Sequence, residues 1–324
     1  MKFISPEQIV IYFINFVFIF FLVVALKISY LMIKKFDFSK STSFQYSLEK
    51  RNVLVSTIVS FFIFLKVPLL FYFLFYLDSL APSIPGAMCA VGVLNSTPYG
   101  AYLIIVKVAV LFMLGWWFYI NKFDLNTYGF KYTKLKYKFL ILISFAIFLE
   151  FLLEINLFNN ISPEKIVSCC GSVFGKDVKY FSSFLFNLND NLSLLITVVT
   201  FLLLAIFFKT KNYVFYGLAS LIFLIVAVYS LIDFFSTYIY ELPTHRCPFC
   251  ILQKDYGYIG YVIYFLLLTG TFYGSSLLVL KNILDNTTKI SWARNSFFMI
   301  FCYLLIVGFY VVKYYMVNGV WLKG

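Results

Sequence analysis

Histidine is nearly missing: His245 is the only one in 324 residues. Bis-histidine haem ligation within the chain is therefore excluded. No Cys-x-x-Cys-His occurs, so covalent haem attachment of the usual kind is absent too. A Gly-x-x-x-x-Gly-Lys phosphate loop is also lacking, and with it the usual sign of nucleotide hydrolysis. Charge is scarce: 12% of residues are charged, against roughly a quarter in a soluble domain. Acidic side chains number 14 against 26 basic ones. No polar stretch is long enough to bury a core of its own, so no soluble domain is expected.

What is present is apolar. Hydrophobic residues make up 62% of the chain and aromatics 22%. Apolar runs of about 20 residues read as membrane-spanning helices. The expected fold class is all-α, a polytopic membrane helix bundle forming a single transmembrane domain over 1–324. Eight spans are expected, at 8–33, 53–77, 99–120, 138–158, 191–208, 213–238, 256–280 and 296–317. Pro68 is expected to kink the second. The start MKFISPEQIVIYF lacks a small-residue cleavage site and reads as a retained helix.

The net charge of +12 would suggest nucleic acid in a soluble protein. Here the cations sit in short loops between apolar runs, so the expected partner is the lipid bilayer and no nucleic acid. Lys34, Lys35, Lys40, Lys50, Arg51, Lys122, Lys131, Lys134, Lys136, Lys138, Lys209, Lys211, Lys281, Lys289 and Arg294 fall on one side, fifteen in all. Lys2, Lys165, Lys176, Lys179, Arg246, Lys254 and Lys323, seven in all, fall on the other. The positive-inside rule then puts both termini outside the cytoplasm. Richness in Phe, Ile, Lys, Asn and Tyr suits an AT-rich bacterial genome, so a bacterial cytoplasmic membrane is expected.

Under that topology Cys89, Cys169, Cys170, Cys247 and Cys250 all face the extracytoplasmic side. Only Cys302 lies elsewhere, in the last span, and reads as a small buried hydrophobe. External thiols tend to be disulfides, redox groups or metal ligands. CAVGVLN from Cys89 and CPFCILQ from Cys247 align without gaps, and each leads into a span of the same direction. A parallel four-plus-four duplication would produce this echo.

The stretch ELPTHRCPFCILQKD carries the densest chemistry. Pro248 suits a first helical turn. Cys247 is therefore expected near a helix start, with Cys250 one turn further in. Free N–H groups and the helix dipole there favour a thiolate, as would the neighbouring Arg246 and His245. One thiol that exchanges and a second that resolves is the recipe for disulfide chemistry, with Cys247 and Cys250 in those roles.

A Cys-x-x-Cys at the external mouth of a transmembrane helix resembles the quinone-linked disulfide-generating membrane proteins, the DsbB and vitamin K epoxide reductase group. In that group the helix-mouth pair contacts a quinone, and a second loop pair passes the disulfide onward. The resemblance covers Cys247 to Cys250 and their setting only. It departs in the number of spans, four or five in the group, and in the adjacency of Cys169 and Cys170. It implies a quinone as electron sink. The thiols Cys89, Cys169 and Cys170 would then relay to a periplasmic thioredoxin-like partner.

Two alternatives stand beside exchange. His245, Cys247 and Cys250, with one of Cys89, Cys169 or Cys170, form a soft ligand set for Cu(I) or zinc, and Met88 adds a thioether. The partner would then be a copper-enzyme assembly factor. Otherwise the cysteines staple the loops of a transport or structural bundle. A vicinal Cys169–Cys170 bridge is disfavoured by geometry.

Ionisable groups also fall within spans. Glu150 and Glu154, at i and i+4, share a helix face. Lys66, Lys107, Lys313 and Asp233 fall within other spans. Such groups face bundle interiors, as interhelical ion pairs or as a proton or cation path. Tyr256, Tyr258, Tyr261 and Tyr264 read as interfacial belt residues.

Overall fold

Ser5 accepts a hydrogen bond from Gln8 N (3.3 Å), Thr42 does the same for Gln45 N (3.3 Å), and Asp285 for Thr288 N (3.4 Å). Each oxygen satisfies a backbone donor that a helix start leaves open. These caps open three of the long helices in the computed structural model, which describes residues 5–38, 40, 42–162, 167 and 190–322. Every regular element among the described residues is helical.

The helices are α1 (Pro6–Lys35), α2 (Ser43–Leu80), the short α3 (Ala90–Asn95), α4 (Gly100–Asn126), α5 (Thr133–Asn160), α6 (Asp190–Lys209), α7 (Tyr213–Ser230), α8 (Ser236–Tyr240), α9 (Ile259–Val279) and α10 (Asn286–Asn318). A π-helical turn, Leu231–Phe235, joins α7 to α8. Among the described residues, eight spans are long and apolar enough to cross a membrane, with α7 and α8 counted as one. The protein is thus an all-α polytopic bundle. Lipid as solvent is written on its surface: Phe13, Phe16, Phe64, Phe75 and Phe145 are each 65–71% exposed, a coat of apolar rings that water would not tolerate.

The helices α2, α5 and α10 begin earlier than the apolar runs of the second, fourth and eighth spans. Thr42 and Asp285 cap polar extensions, so Lys50, Arg51, Lys289 and Arg294 ride on helix rather than in loops. With 38 residues, α2 is about 57 Å long at 1.5 Å per residue, well beyond a hydrocarbon core of about 30 Å. Pro68 stands inside α2 without ending it. Gln45 ties α1 to α2: its Nε2 donates to Lys35 O (2.8 Å) and its Oε1 accepts from Asp37 N (3.2 Å).

The chain divides into two compact units, Met1–Ser83 with Val93–Lys165, and Ile84–Gly92 with Ile166–Gly324. In the first, α1 and α4 each pack on both α2 and α5, closing a ring of four. Its core gathers Met32, Leu48, Val55, Val110, Trp117, Tyr137 and Ile143. In the second, α7 and α10 each pack on both α6 and α9, again a ring of four. The same cyclic order appears twice, as a four-plus-four arrangement would have it, and as any up-and-down bundle would.

Lys136 corrects the loop count. It was expected among the solvent-facing cations, yet its side chain is fully buried in the first turns of α5 and pairs with Asp124 at 3.0 Å. Its Nζ also donates to Asn52 Oδ1 (2.8 Å), Ser56 Oγ (3.1 Å) and Asn121 Oδ1 (3.1 Å). A buried cation needs such partners. The helices run on past their apolar stretches and carry Lys136 into the packed end of the ring.

Candidate functional site: a buried trithiol cluster

The second unit builds its site from two loops. The first follows α8, which stops where Glu241 takes a left-handed conformation (φ 56°). Beyond it run His245, Arg246, Cys247 and Pro248, then a 3-10 turn, Cys250–Leu252, and a second, Lys254–Tyr256. Gly257 (φ 62°) and Tyr258 (φ 57°) are both left-handed, and only then does α9 begin. The expected helix start at Cys247 is therefore corrected. The Cys-Pro-Phe-Cys segment is an independent turn, set off from the spanning helix by two residues that no right-handed helix accommodates.

Tyrosines hold this turn. The Tyr240 hydroxyl donates to Cys247 O and accepts from Ile251 N (3.0 Å), clipping the turn at both ends. Tyr264 Oη donates to Pro248 O at 2.7 Å. Gly260, at the start of α9, lets the turn fold back on it: a Cβ there would meet the Ile251 carbonyl at 2.8 Å. Arg246 Nη1 donates to Asp233 Oδ1 at 2.8 Å, and the Asp233 side chain is 1% exposed. The π turn inserts an extra residue per turn, a feature that recurs at functional sites, and here it carries that carboxylate.

The second loop, residues 84–89, brings Cys89. Gly86 is left-handed (φ 84°), and a Cβ there would overlap the Val167 carbonyl oxygen at 2.0 Å. Val167 N donates to Pro85 O at 2.9 Å, so one residue pins this loop from both directions. Cys89 directly precedes α3, and its carbonyl accepts from Gly92 N at 2.9 Å.

The two loops place three thiols together. Cys89 Sγ lies 3.5 Å from Cys247 Sγ, and the sulfurs of Cys89, Cys247 and Cys250 all lie within 4.8 Å of one another. A disulfide needs about 2.05 Å, so this is contact between thiols. Cys89 and Cys247 are 0% exposed and Cys250 is 6%.

Other anticipated residues lie elsewhere. His245 is half-buried and outside the group; its ring packs edge-on against Tyr240 at 4.2 Å. Its Nε2 is buried without a hydrogen-bond partner among the described residues. Met88 is 78% exposed, whereas Cys89 is buried. Cys169 and Cys170 lie outside the described residues. Cys302 is half-buried on α10.

Glu150 and Glu154 belong to the first unit, where they form a closed ionic network. Lys66 Nζ donates to both Glu150 oxygens (2.9 and 3.0 Å), and Lys107 Nζ to Glu150 (2.9 Å) and Glu154 (2.6 Å). Asn15 Nδ2 donates to Glu154 at 2.5 Å. All four helices of the ring contribute, every member is buried, and the formal charges cancel. Lys313, by contrast, faces Glu241 at 4.0 Å with both side chains at least half exposed.

Sequence reasoning passed over Tyr240, and it read Tyr264 as a belt residue. No local pattern announces either, because each acts on backbone of the irregular turn 7 to 16 residues away. Comparison of the chain with protein-family models, with curated proteins and with solved structures returned no match. The fold and the cluster define a polytopic helical membrane protein with a buried trithiol site.

Proposed function

We propose that this protein carries out thiol–disulfide exchange at Cys89, Cys247 and Cys250, on the extracytoplasmic face of a bacterial cytoplasmic membrane. The observation that carries the reading is the 3.5 Å contact between Cys247 of the Cys-Pro-Phe-Cys turn and Cys89 of a separate loop. With Cys247 and Cys250 joined, the Cys89 thiolate attacks Cys247 Sγ. The Cys247–Cys250 bond breaks, a Cys89–Cys247 bond forms, and Cys250 leaves as the thiolate and takes up the proton that Cys89 gave up. This step turns a disulfide within the turn into a bridge between turn and loop, without net oxidation. Tyr240 and Tyr264 hold the backbone of the turn while its sulfurs change partners.

The resemblance to the quinone-linked group supports a quinone as the oxidant that restores the disulfide. When bound, a quinone would supply an acceptor for two electrons and two protons. His245 Nε2, buried beside the turn and lacking a partner among the described residues, is the polar atom suited to hold a quinone oxygen. Cys169 and Cys170 would pass the disulfide on to a thioredoxin-like protein. The extracytoplasmic placement rests on the cation count, now fourteen against seven with the buried Lys136 set aside.

Trapping the native redox state tests the reading. Membranes are acid-quenched, alkylated without reductant, digested and analysed by mass spectrometry. Peptides joined through Cys247–Cys250 and through Cys89–Cys247 are expected, and Cys247→Ser should remove both along with exchange activity. Wild-type exchange rates in Cys247→Ser would overturn the proposal.

A further inference from the structure

We infer that the reduced cluster is a three-coordinate soft-metal site, with Cys89, Cys247 and Cys250 as the ligands of one Cu(I) ion. Metal–thiolate bonds of about 2.3 Å place three sulfurs in a trigonal plane about 4.0 Å apart. The three sulfurs here lie within 4.8 Å, one pair at 3.5 Å, so shifts of a few tenths of an ångström complete the set. The ligands come from two separately anchored loops, pinned by Gly86 against Val167 and by Tyr240 across the turn. No further His, Cys, Asp or Glu joins the group among the described residues, and His245 stands apart. Closed zinc sites take four ligands, whereas a small all-thiolate set favours Cu(I). Burial of all three sulfurs suits this ion further. Thiolates are costly away from water, and one Cu(I) offsets one of the three thiolate charges.

Binding stands on the thiol geometry alone. Its consequence for regulation rests on the exchange reading. Forming the Cys247–Cys250 bond takes two electrons and two protons from the pair, delivered to a quinone, and removes two of the three ligands. Metal and disulfide therefore exclude each other, and Cu(I) holds the cluster in its reduced form.

The full-length protein, reduced in detergent, is titrated with Cu(I) against a chromogenic chelator. One ion per chain is expected, with three sulfur neighbours in X-ray absorption. Cys89→Ser should weaken binding by more than about 100-fold, since even outer partners of a ligand cost 10–100-fold. His245→Ala and Cys302→Ser should bind as wild type. In wild-type protein, which needs no substituted variant to fold, Cu(I) should protect Cys247 and Cys250 from alkylation until a strong chelator is added. Absence of binding, wild-type affinity in Cys89→Ser, loss of the ion in His245→Ala, or a four-coordinate spectrum would each overturn the site. Exchange is assayed separately on metal-free protein. Failure there with intact Cu(I) binding would remove the exchange reading and leave the metal site standing.

Discussion

Tyr240→Phe takes away one oxygen and, with it, both hydrogen bonds that close the Cys-Pro-Phe-Cys turn. The Cys247 carbonyl loses its donor and Ile251 N loses its acceptor. Both residues are 0% exposed, so water does not replace what is lost. A buried backbone group left unsatisfied costs about 1–3 kcal/mol. Two such groups, with some relaxation, amount to about 2–4 kcal/mol in favour of the opened turn. At about 1.4 kcal/mol per factor of ten, the opened population rises by roughly 30- to 1000-fold. Alkylation of a buried thiol tracks that population when reclosing outpaces modification. The assay is therefore the rate at which Cys247 in the reduced protein reacts with a maleimide, read by mass spectrometry. Tyr264→Phe removes a single donor, to Pro248 O. It should cost about 1–2 kcal/mol and accelerate labelling by only about 5- to 30-fold. Cys302 on α10 reports any global loosening. A Tyr240→Phe rate within about twofold of wild type, or equal acceleration at Cys302, would refute the clip.

In the first unit, Lys107→Met strands two buried carboxylates around Lys66 and should cost about 3–5 kcal/mol in detergent unfolding. Adding Glu154→Gln restores neutrality and should recover about 2–3 kcal/mol; strict additivity of the two changes would count against a shared network. Gly260→Ala drives a Cβ into the Ile251 carbonyl at 2.8 Å. It should cost about 1–3 kcal/mol and speed Cys247 labelling, which normal labelling at unchanged stability would contradict. Asp233→Asn removes the charge of the carboxylate that Arg246 Nη1 meets at 2.8 Å. Because Arg246 is 26% exposed, the loss should stay below about 3 kcal/mol, seen as faster hydrogen exchange in the His245–Cys250 loop with α7 unchanged.

Spans were legible because lipid demands long apolar runs, and the runs are long here. Caps were legible at Ser5, Thr42 and Asp285 in principle, since each is an oxygen-bearing side chain ahead of a helix. Their effect, extending α2 and α10 well beyond the apolar stretch, was not anticipated, because polar residues on a helical extension resemble loop residues in composition. The same confusion hid Lys136. Its burial depends on Asp124, Asn52 and Asn121, which only packing brings together. Cys89 was one of three thiols that could join Cys247 and Cys250, but spacing did not single out its contact with Cys247. Their aligned segments suggested repetition rather than contact. Pro248 pointed to a helix start, and the left-handed pair Gly257–Tyr258 prevents one. Nothing in the composition of Leu231–Phe235 distinguishes a π turn from ordinary helix.

The neutral network of Lys66, Lys107, Glu150 and Glu154 has a consequence for biogenesis. A lone ionised side chain at the centre of a helix raises the cost of insertion by about 2.5–3.5 kcal/mol; α5 carries Glu150 within its apolar stretch and Glu154 one turn nearer its end. Their counter-charges lie on α2 and α4, both of which are synthesised earlier. As α5 leaves the ribosome, the two lysine-bearing helices must still be close at hand, held at the insertion site or already paired, for its glutamates to settle. Three of the first unit's spans thus enter the bilayer as a cohort, and a pulse-labelling experiment on nascent chains truncated before and after α5 would find α2 and α4 retained until α5 arrives.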